Sequence, residues 1–403
     1  MLKNKTYLIV VIAALGYFVD IYDLILFNVV KKSSLEAIGI TGDAYKNYEI
    51  SLFNWQMIGM LIGGLFWGIL GDKKGRVSVL FGSILLYSLA NIANGLVVNI
   101  NQYIICRFIA GIGLAGELGA GITLVSETMP KEKRGIGSMI IVSFGALGAV
   151  FASIVGKMFD WKMSYYIGGA LGLVLLTLRA GAFESGMYHN IKKSVEVKKG
   201  KFLSLFSNKK RAFLYINSIL IGVPIWFMIG VLINLSPRFV AIENKELVGI
   251  AVMYAYIGLS VGDIFSGLLS QWLKSRKKVI YLYLGLSSVL ILFYLNSHIT
   301  DLTTFKITCL MLGIGTGYWA LFVQVASENF GTNIRSTVTN TVPNFVRGFV
   351  VPITLSFKYF ASLFDNNNTA ALIVGGVCIC LAFVALYFME ETFSKDLDYN
   401  EID

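Results

Sequence analysis

The chain has 403 residues, 56% of them hydrophobic and 14% charged, with a mean hydropathy of +0.70. A soluble domain carries about 25% charged residues, so this composition excludes a soluble enzyme and points to a polytopic membrane protein. The net charge of +10 does not signal nucleic acid, because the lysines and arginines lie in short loops between apolar runs, the pattern that orients a chain in a bilayer.

Apolar runs of roughly 20 residues, the length needed to cross a bilayer, predict about twelve helices. Their limits are near 7–30, 48–71, 78–98, 101–128, 136–158 and 162–183, then 212–235, 247–271, 279–297, 304–327, 338–360 and 368–389. The first run follows Lys3 and Lys5 as a signal peptide would, yet it is too long and lacks a small-residue cleavage site, so it reads as an uncleaved helix. The expected fold is an all-α membrane protein of two pseudo-symmetric six-helix bundles, residues 1–183 and 212–389. A basic linker, 184–211, holding Lys192, Lys193, Lys198, Lys199, Lys201, Lys209, Lys210 and Arg211, joins them, and an acidic tail, 390–403, reads as mobile. With the amino terminus inside, roughly 22 Lys and Arg fall on the cytoplasmic side against roughly 9 opposite, so both termini are expected in the cytoplasm of a bacterial-type inner membrane. Cys106, Cys309, Cys378 and Cys380 fall within spans, with no disulfide framework and no metal-ligand spacing.

Ionised side chains at membrane depth are costly and mark functional candidates. In span one, FVDIYDLILF puts Asp20 and Asp23 three residues apart on one helical face, Asp20 near mid-depth. Neighbouring, partly desolvated carboxylates suit proton coupling, although either could simply face a wet vestibule. Between spans two and three, GILGDKKGRV, Gly68 to Val77, is a tight basic turn that belongs on the cytoplasmic side. Span four contains Arg107, Glu117 and Glu127, with five glycines between Gly111 and Gly121 giving a small-residue packing face. Glu117 reads either as a structural carboxylate bridging helices or as a proton carrier. Glu127 with Arg134, seven residues on, reads as a surface gate pair, and Glu328 with Arg335 repeats that spacing in the second half.

Other traces of duplication are Gly111 and Gly113 against Gly313 and Gly315, and Gly267 with Lys274, Arg276, Lys277 and Lys278 as a degraded copy of the first turn, Gln271 standing where Asp72 would. A duplicated six-helix unit is the architecture of two-bundle carriers that hold substrate near the midplane. Span eleven, STVTNTVPNFVRGFVVPITLSFKYF, places Arg347 about half a bilayer from the cytoplasmic end, bracketed by Pro343 and Pro352. A permanently protonated fork suits a carboxylate or phosphate, although Arg347 could instead pair with Asp263 in span eight. Tyr22, Trp55, Trp226, Tyr318 and Trp319 are candidate cavity aromatics, and Asn54, Gln56, Asn217, Gln324 and Asn344 candidate polar liners, Asn344 lying one turn from Arg347.

These features resemble the major facilitator superfamily. Its signature loop between spans two and three is matched by Gly68, Asp72, Gly75 and Arg76, although Val77 replaces the usual second basic residue. The aspartate pair, GIGLAGE, SETMPKEKRG, the Glu184-Ser185 pair and SENFGTNIRST are similar to its metabolite, phosphate and sugar proton symporters. The resemblance implies that Asp20 and Asp23 are proton or substrate residues, that Glu117 lines the central site, and that Asp72 and Arg76 belong to a cytoplasmic gate. By analogy, Gly68 lets span two approach span eleven, Asp72 faces that helix's amino-terminal dipole near Arg335, and Arg76 joins Glu127 or another cytoplasmic carboxylate. Two departures narrow the branch. Met139 to Met158 lacks the proline of drug antiporters, and Gly186 and Met187 stand where sugar carriers have proline and arginine.

The expected function is therefore alternating-access import of a small carboxylate-bearing metabolite with a proton, the substrate meeting Arg347, Asn344, Tyr22 and Trp319. The alternatives are an exporter or facilitator of a larger ligand such as a siderophore or drug, or a phosphate or sugar symporter. The expected partners are an anionic or zwitterionic small molecule and the lipid bilayer around a monomer, with no cofactor beyond the proton. No intramembrane histidine cluster or nucleophile-histidine pairing suggests an enzyme.

Overall fold

A computed structural model describes residues 2–179, 199–244 and 246–401, and these contain helices and no strand. Within a bilayer a helix satisfies its own backbone, which is why the apolar runs fold this way. The first half contains α1 (Leu2–Ala37), α2 (Gly42–Lys74), α3 (Arg76–Asn94), α4 (Ile100–Leu114), α5 (Glu117–Thr128), α6 (Arg134–Met158) and α7 (Trp161–Leu178). The second contains α8 (Lys209–Phe227), α9 (Leu247–Trp272), α10 (Arg276–Asn296), α11 (Leu302–Gly315), α12 (Trp319–Glu328), α13 (Arg335–Gly348), α14 (Val350–Phe364) and α15 (Asn367–Phe388). Side-chain caps fix several starts: Asn99, Asp160, Ser275, Asp301 and Asn366 each accept an amide hydrogen from the first turn that follows.

The expected fourth span is two helices, α4 and α5, and the tenth is likewise split into α11 and α12, so the same discontinuity occurs in both halves. Span eleven is also split, α13 giving way to α14 at Phe349. Ten of the helical stretches are long and apolar enough to cross a membrane, and the α13–α14 stretch is not among them. The reason is α13's run of Ser, Thr and Asn, which is almost wholly buried against other helices and has no lipid to match. The end of the sixth expected span, Glu184, Ser185, Gly186, Met187 and most of the linker, from residue 180 to 198, lie outside the described residues.

The halves meet along two seams, α2 against α13 and α6 against α9. Near one end the seams are sealed; at the other they part around a cavity. The sealed face carries the turn from Asp72 to Arg76 and the carboxyl-terminal tail. After Pro224, α8 continues as a π-helical turn, Met228–Ile233, a wide turn often found at functional positions, and this one lines the parted end.

Candidate functional site

Midway along the seams, α1, α6, α8, α9, α12 and α13 enclose a small space of about 10 Å³, with Tyr17, Trp226, Tyr256, Trp319 and Arg347 on its walls. Room for one water is on the order of 10–15 Å³, so the chamber is nearly closed. Arg347 is buried. Its Nη1 donates to Asn344 Oδ1 at 3.1 Å, its Nη2 to Tyr17 Oη at 3.4 Å, and its guanidinium lies 5.5 Å from the Trp319 ring centre. Among the described residues no carboxylate forms an ion pair with it. Asp263 is not its partner: Oδ1 of Asp263 accepts the Ala320 amide at 2.9 Å, at the start of α12, and so anchors the discontinuity of span ten. Asp20 lies one turn beyond Tyr17 on α1, within electrostatic reach of Arg347, fully buried, and neither of its oxygens has a hydrogen-bond partner among the described residues.

Three of the residues expected at this chamber stand elsewhere. Tyr22 is packed inside the first half, its hydroxyl donating to the Ser164 carbonyl at 2.8 Å and its ring against Phe151; another face of α1 supplies Tyr17 instead. Glu117 does not line the chamber, because Arg179 binds both its oxygens, at 3.0 and 2.6 Å, and Ser83 donates at 2.6 Å, closing a buried pair among α3, α5 and the end of α7. Asp23 faces Arg107 at 3.6 Å, and that guanidinium also meets Gln56 and the Phe27 ring. Of the three carboxylates expected to couple protons, Asp20 alone lacks a cation within ion-pair distance among the described residues. Arg179 and Tyr17 were missed in the sequence. A census of intramembrane cations would have raised Arg179; nothing local distinguishes Tyr17.

The sealed face is built on Gly68, Asp72, Gly75 and Arg76. A Cβ on Gly68 would stand 2.8 Å from Thr337 Cα, so α2 and α13 touch backbone to backbone there. Asp72 then reaches the free amides at the start of α13, accepting from Ser336 N at 3.0 Å, Thr337 N at 2.9 Å and Thr337 Oγ1 at 2.6 Å. Gly75 turns the chain at φ 107°, a conformation that favours glycine, and starts α3. Arg76 donates to Glu127 Oε1 at 2.7 Å and to Thr332 O at 2.8 Å.

The expected local pairs are exchanged. Glu127 takes Arg335, from the other half, at 3.1 Å instead of Arg134; Glu328 takes Arg276 at 3.2 Å instead of Arg335. Arg76 and Arg276 each open the span that precedes the glutamate's own, and each lies beside the end of the glutamate's helix. Arg76–Glu127 and Arg276–Glu328 are thus the same pair in the two halves, and the sequence repeat could have shown it. Gln324 adds a crossing, its Oε1 accepting from Ser126 at 3.2 Å and from Ser138.

The tail, expected to be mobile, is folded over this face. Arg134 donates to Lys395 O at 2.9 Å, Arg335 to Leu397 O at 2.6 Å, and Thr332 N to Tyr399 O at 2.8 Å, while Lys131 pairs with Asp396 at 2.6 Å. Glu391 caps the start of α10. Burial pushes its carboxyl up, but bonds from the Ser275 hydroxyl and the amides of Arg276, Phe393 and Lys277 outweigh this and hold it below its ordinary value.

At the opposite face the parted halves enclose a vestibule of about 870 Å³ next to the chamber, Gly230 lining the one and Ile229 the other. One face sealed, the other open and a lone buried guanidinium between them describe a two-bundle membrane transporter caught open to one side. Residues 13–353 match the Major Facilitator Superfamily, and the chain belongs to that family. It is 26% identical over 361 residues to the sialic acid transporter NanX of Escherichia coli, covering 86% of this chain and 85% of that one. It is 24% identical over 385 residues to the niacin transporter NiaP of Acinetobacter baylyi, covering 85% of each, and 22% identical over 401 residues to the gentisate transporter of Corynebacterium glutamicum, covering 93% and 86%. Among solved structures, the fold is similar to the proton:xylose symporter XylE, with a TM-score of 0.79 at 15% identity over 99% of this chain and 98% of that one. FucP in its outward conformation superposes with a TM-score of 0.72 at 14% identity, over 94% and 98%.

Proposed function

We propose that this transporter imports a small organic carboxylate together with a proton, by alternating access across a bacterial-type inner membrane with both termini in the cytoplasm. The observation that carries the reading is Arg347: a buried guanidinium over an indole ring, held by neutral Asn344 and Tyr17, with no carboxylate of the described residues at ion-pair distance. A buried unpaired charge is costly, and an anionic ligand supplies the missing partner with the bidentate geometry that arginine favours. The relatives named for sialic acid, niacin and gentisate support an organic acid as substrate.

In this reading the sealed face is cytoplasmic and the vestibule faces outward. Asp20, beside Arg347 and without its own cation, takes the proton; the anion binds Arg347 against Trp319 and Asn344; and with both charges compensated the halves rock to open the gate at Asp72, Arg76, Glu127 and Arg335. The test is uptake of radiolabelled nicotinate, benzoate and gentisate into proteoliposomes. Uptake of at least one should rise with an inward acid gradient and fall at least tenfold in Arg347→Ala. Transport indifferent to the gradient removes the proton, and full activity in Arg347→Ala removes the carboxylate.

A further inference from the structure

Basic residues are usually scarce on the face opposite the basic loops of a membrane protein, yet here those present converge on one place. Of the roughly nine lysines and arginines the sequence puts there, Lys31, Lys32, Lys157, Arg238 and Lys358 line the vestibule, against two carboxylates among the described residues, Glu36 and Glu246. Lys157 and Glu246 satisfy each other at 3.0 Å across the mouth, joining the end of α6 to the residue before α9. Leaving Lys31 aside as well, Lys32 on α1, Arg238 after the π-helical turn and Lys358 on α14 outnumber Glu36, and all three are exposed to the cavity water. They come from both halves and line the cavity next to the chamber that holds Arg347.

We propose that this vestibule is an anion-collecting antechamber, a low-affinity site for small organic carboxylates that raises their concentration above the chamber before Arg347 engages them. Low-dielectric walls on either side focus the field of such a ring, and steering of this kind raises association rates by about 10- to 1,000-fold, with steep loss in salt. The chamber at about 10 Å³ holds no ligand until it widens, whereas the vestibule at about 870 Å³ already admits one, so capture precedes any movement of the halves. The antechamber extends the carboxylate reading of the previous section, but its charge can be measured without any substrate.

The probes are two thiol reagents of similar size and opposite charge, the sulfonatoethyl and trimethylammonioethyl methanethiosulfonates. They are applied to a Ser33→Cys variant, whose position lines the vestibule, and to Val98→Cys, 70% exposed on the loop before α4 at the same face and outside the vestibule. The reaction of the parent chain is subtracted. At about 10 mM salt, where the Debye length is about 30 Å, the anionic-to-cationic rate ratio should be roughly tenfold higher in Ser33→Cys than in Val98→Cys. The excess should vanish at about 1 M salt, where that length is about 3 Å, and should also vanish when Lys32→Glu and Lys358→Glu are added to Ser33→Cys. Because the ratio is taken within one variant, a general change of accessibility cancels. Equal ratios at the two positions in low salt, or a ratio untouched by the charge swap, overturn the proposal. If the anion preference is present but Arg347→Ala leaves carboxylate uptake intact, the antechamber stands and the central carboxylate reading falls.

Discussion

Glu127 and Arg335 sit 208 residues apart in sequence and 3.1 Å apart across the boundary between the halves, with Arg76 on the same carboxylate oxygen. All three are buried, so the carboxylate compensates two guanidinium groups at once. Glu127→Gln should therefore destabilise the sealed face by roughly 3–5 kcal/mol, the usual effect of removing one member of a buried ion pair. Alkylation of a Thr339→Cys reporter behind the gate, measured from the sealed side, should speed up by tenfold or more. An unchanged rate would mean that the pair does not hold the gate.

Asp72 acts on the same closure by a different route, through the amides that begin α13. Asp72→Asn keeps the shape but loses the charge-dipole attraction, about 0.3–1 kcal/mol near a helix amino terminus and up to about 2 when partly buried. The variant should favour the state with the gate open while preserving the rank order of competing carboxylates in uptake. A reordered ligand preference would place Asp72 in recognition instead.

Trp319 should matter through its ring. The guanidinium of Arg347 lies over it at 5.5 Å, and a desolvated cation–π contact is worth about 2 kcal/mol. Trp319→Phe should leave KM within a few-fold, whereas Trp319→Ala should raise it by roughly 30-fold. Equal losses in the two would show that the indole itself, not an aromatic face, is what the site uses.

Glu117 and Arg179 form a closed pair, and their role reads as structural. Glu117→Gln should lower the melting temperature in detergent strongly, because Arg179 is left buried without its carboxylate. Adding Arg179→Met should restore much of the loss, since an apolar replacement of a whole buried pair is often tolerated. If the double variant melts like Glu117→Gln but transports without a proton gradient, Glu117 belongs to coupling after all.

The tail should respond to pH through Glu391. Its carboxyl is held below the ordinary value near 4.5 in the folded state, so its contribution is full above that value and is lost as pH falls through the lower, folded one. Protection of the tail from carboxypeptidase should be flat from neutral pH to about 5 and decline below about 4.5, and Glu391→Gln should flatten the profile while lowering protection throughout.

Much of this arrangement is legible in the sequence because a bilayer imposes length and polarity on each span. The turn from Gly68 to Arg76 announced both a family and a gate, since close backbone approach, a helix-facing acid and a left-turning glycine each require a particular residue type. Partnership is only partly legible. The signature turn brings Arg76 to Glu127, whereas spacing along the chain suggests Arg134 for Glu127 and Arg335 for Glu328, and helix packing sets the neighbours otherwise. Tyr22 and Tyr17 show the same limit on a smaller scale: they sit on different faces of one helix, and only the neighbours of that helix decide which meets the substrate path. The tail's polar, acidic composition looked solvent-bound because its partners, carbonyls and amides around Thr332, carry no sequence signal.

The crossing at Gln324 has a thermal consequence. Its one amide oxygen serves Ser126 and Ser138 from the first half while its nitrogen donates to Glu328 of its own helix at 2.7 Å, so parting the halves breaks both serine bonds along with those of Glu127 and Asp72. A closure made of many simultaneous polar contacts is lost at a high enthalpic barrier, with water replacing them only afterwards. Cooling should therefore slow the return of the empty carrier far more than it weakens ligand capture, leaving a molecule that on ice is loaded but does not turn over.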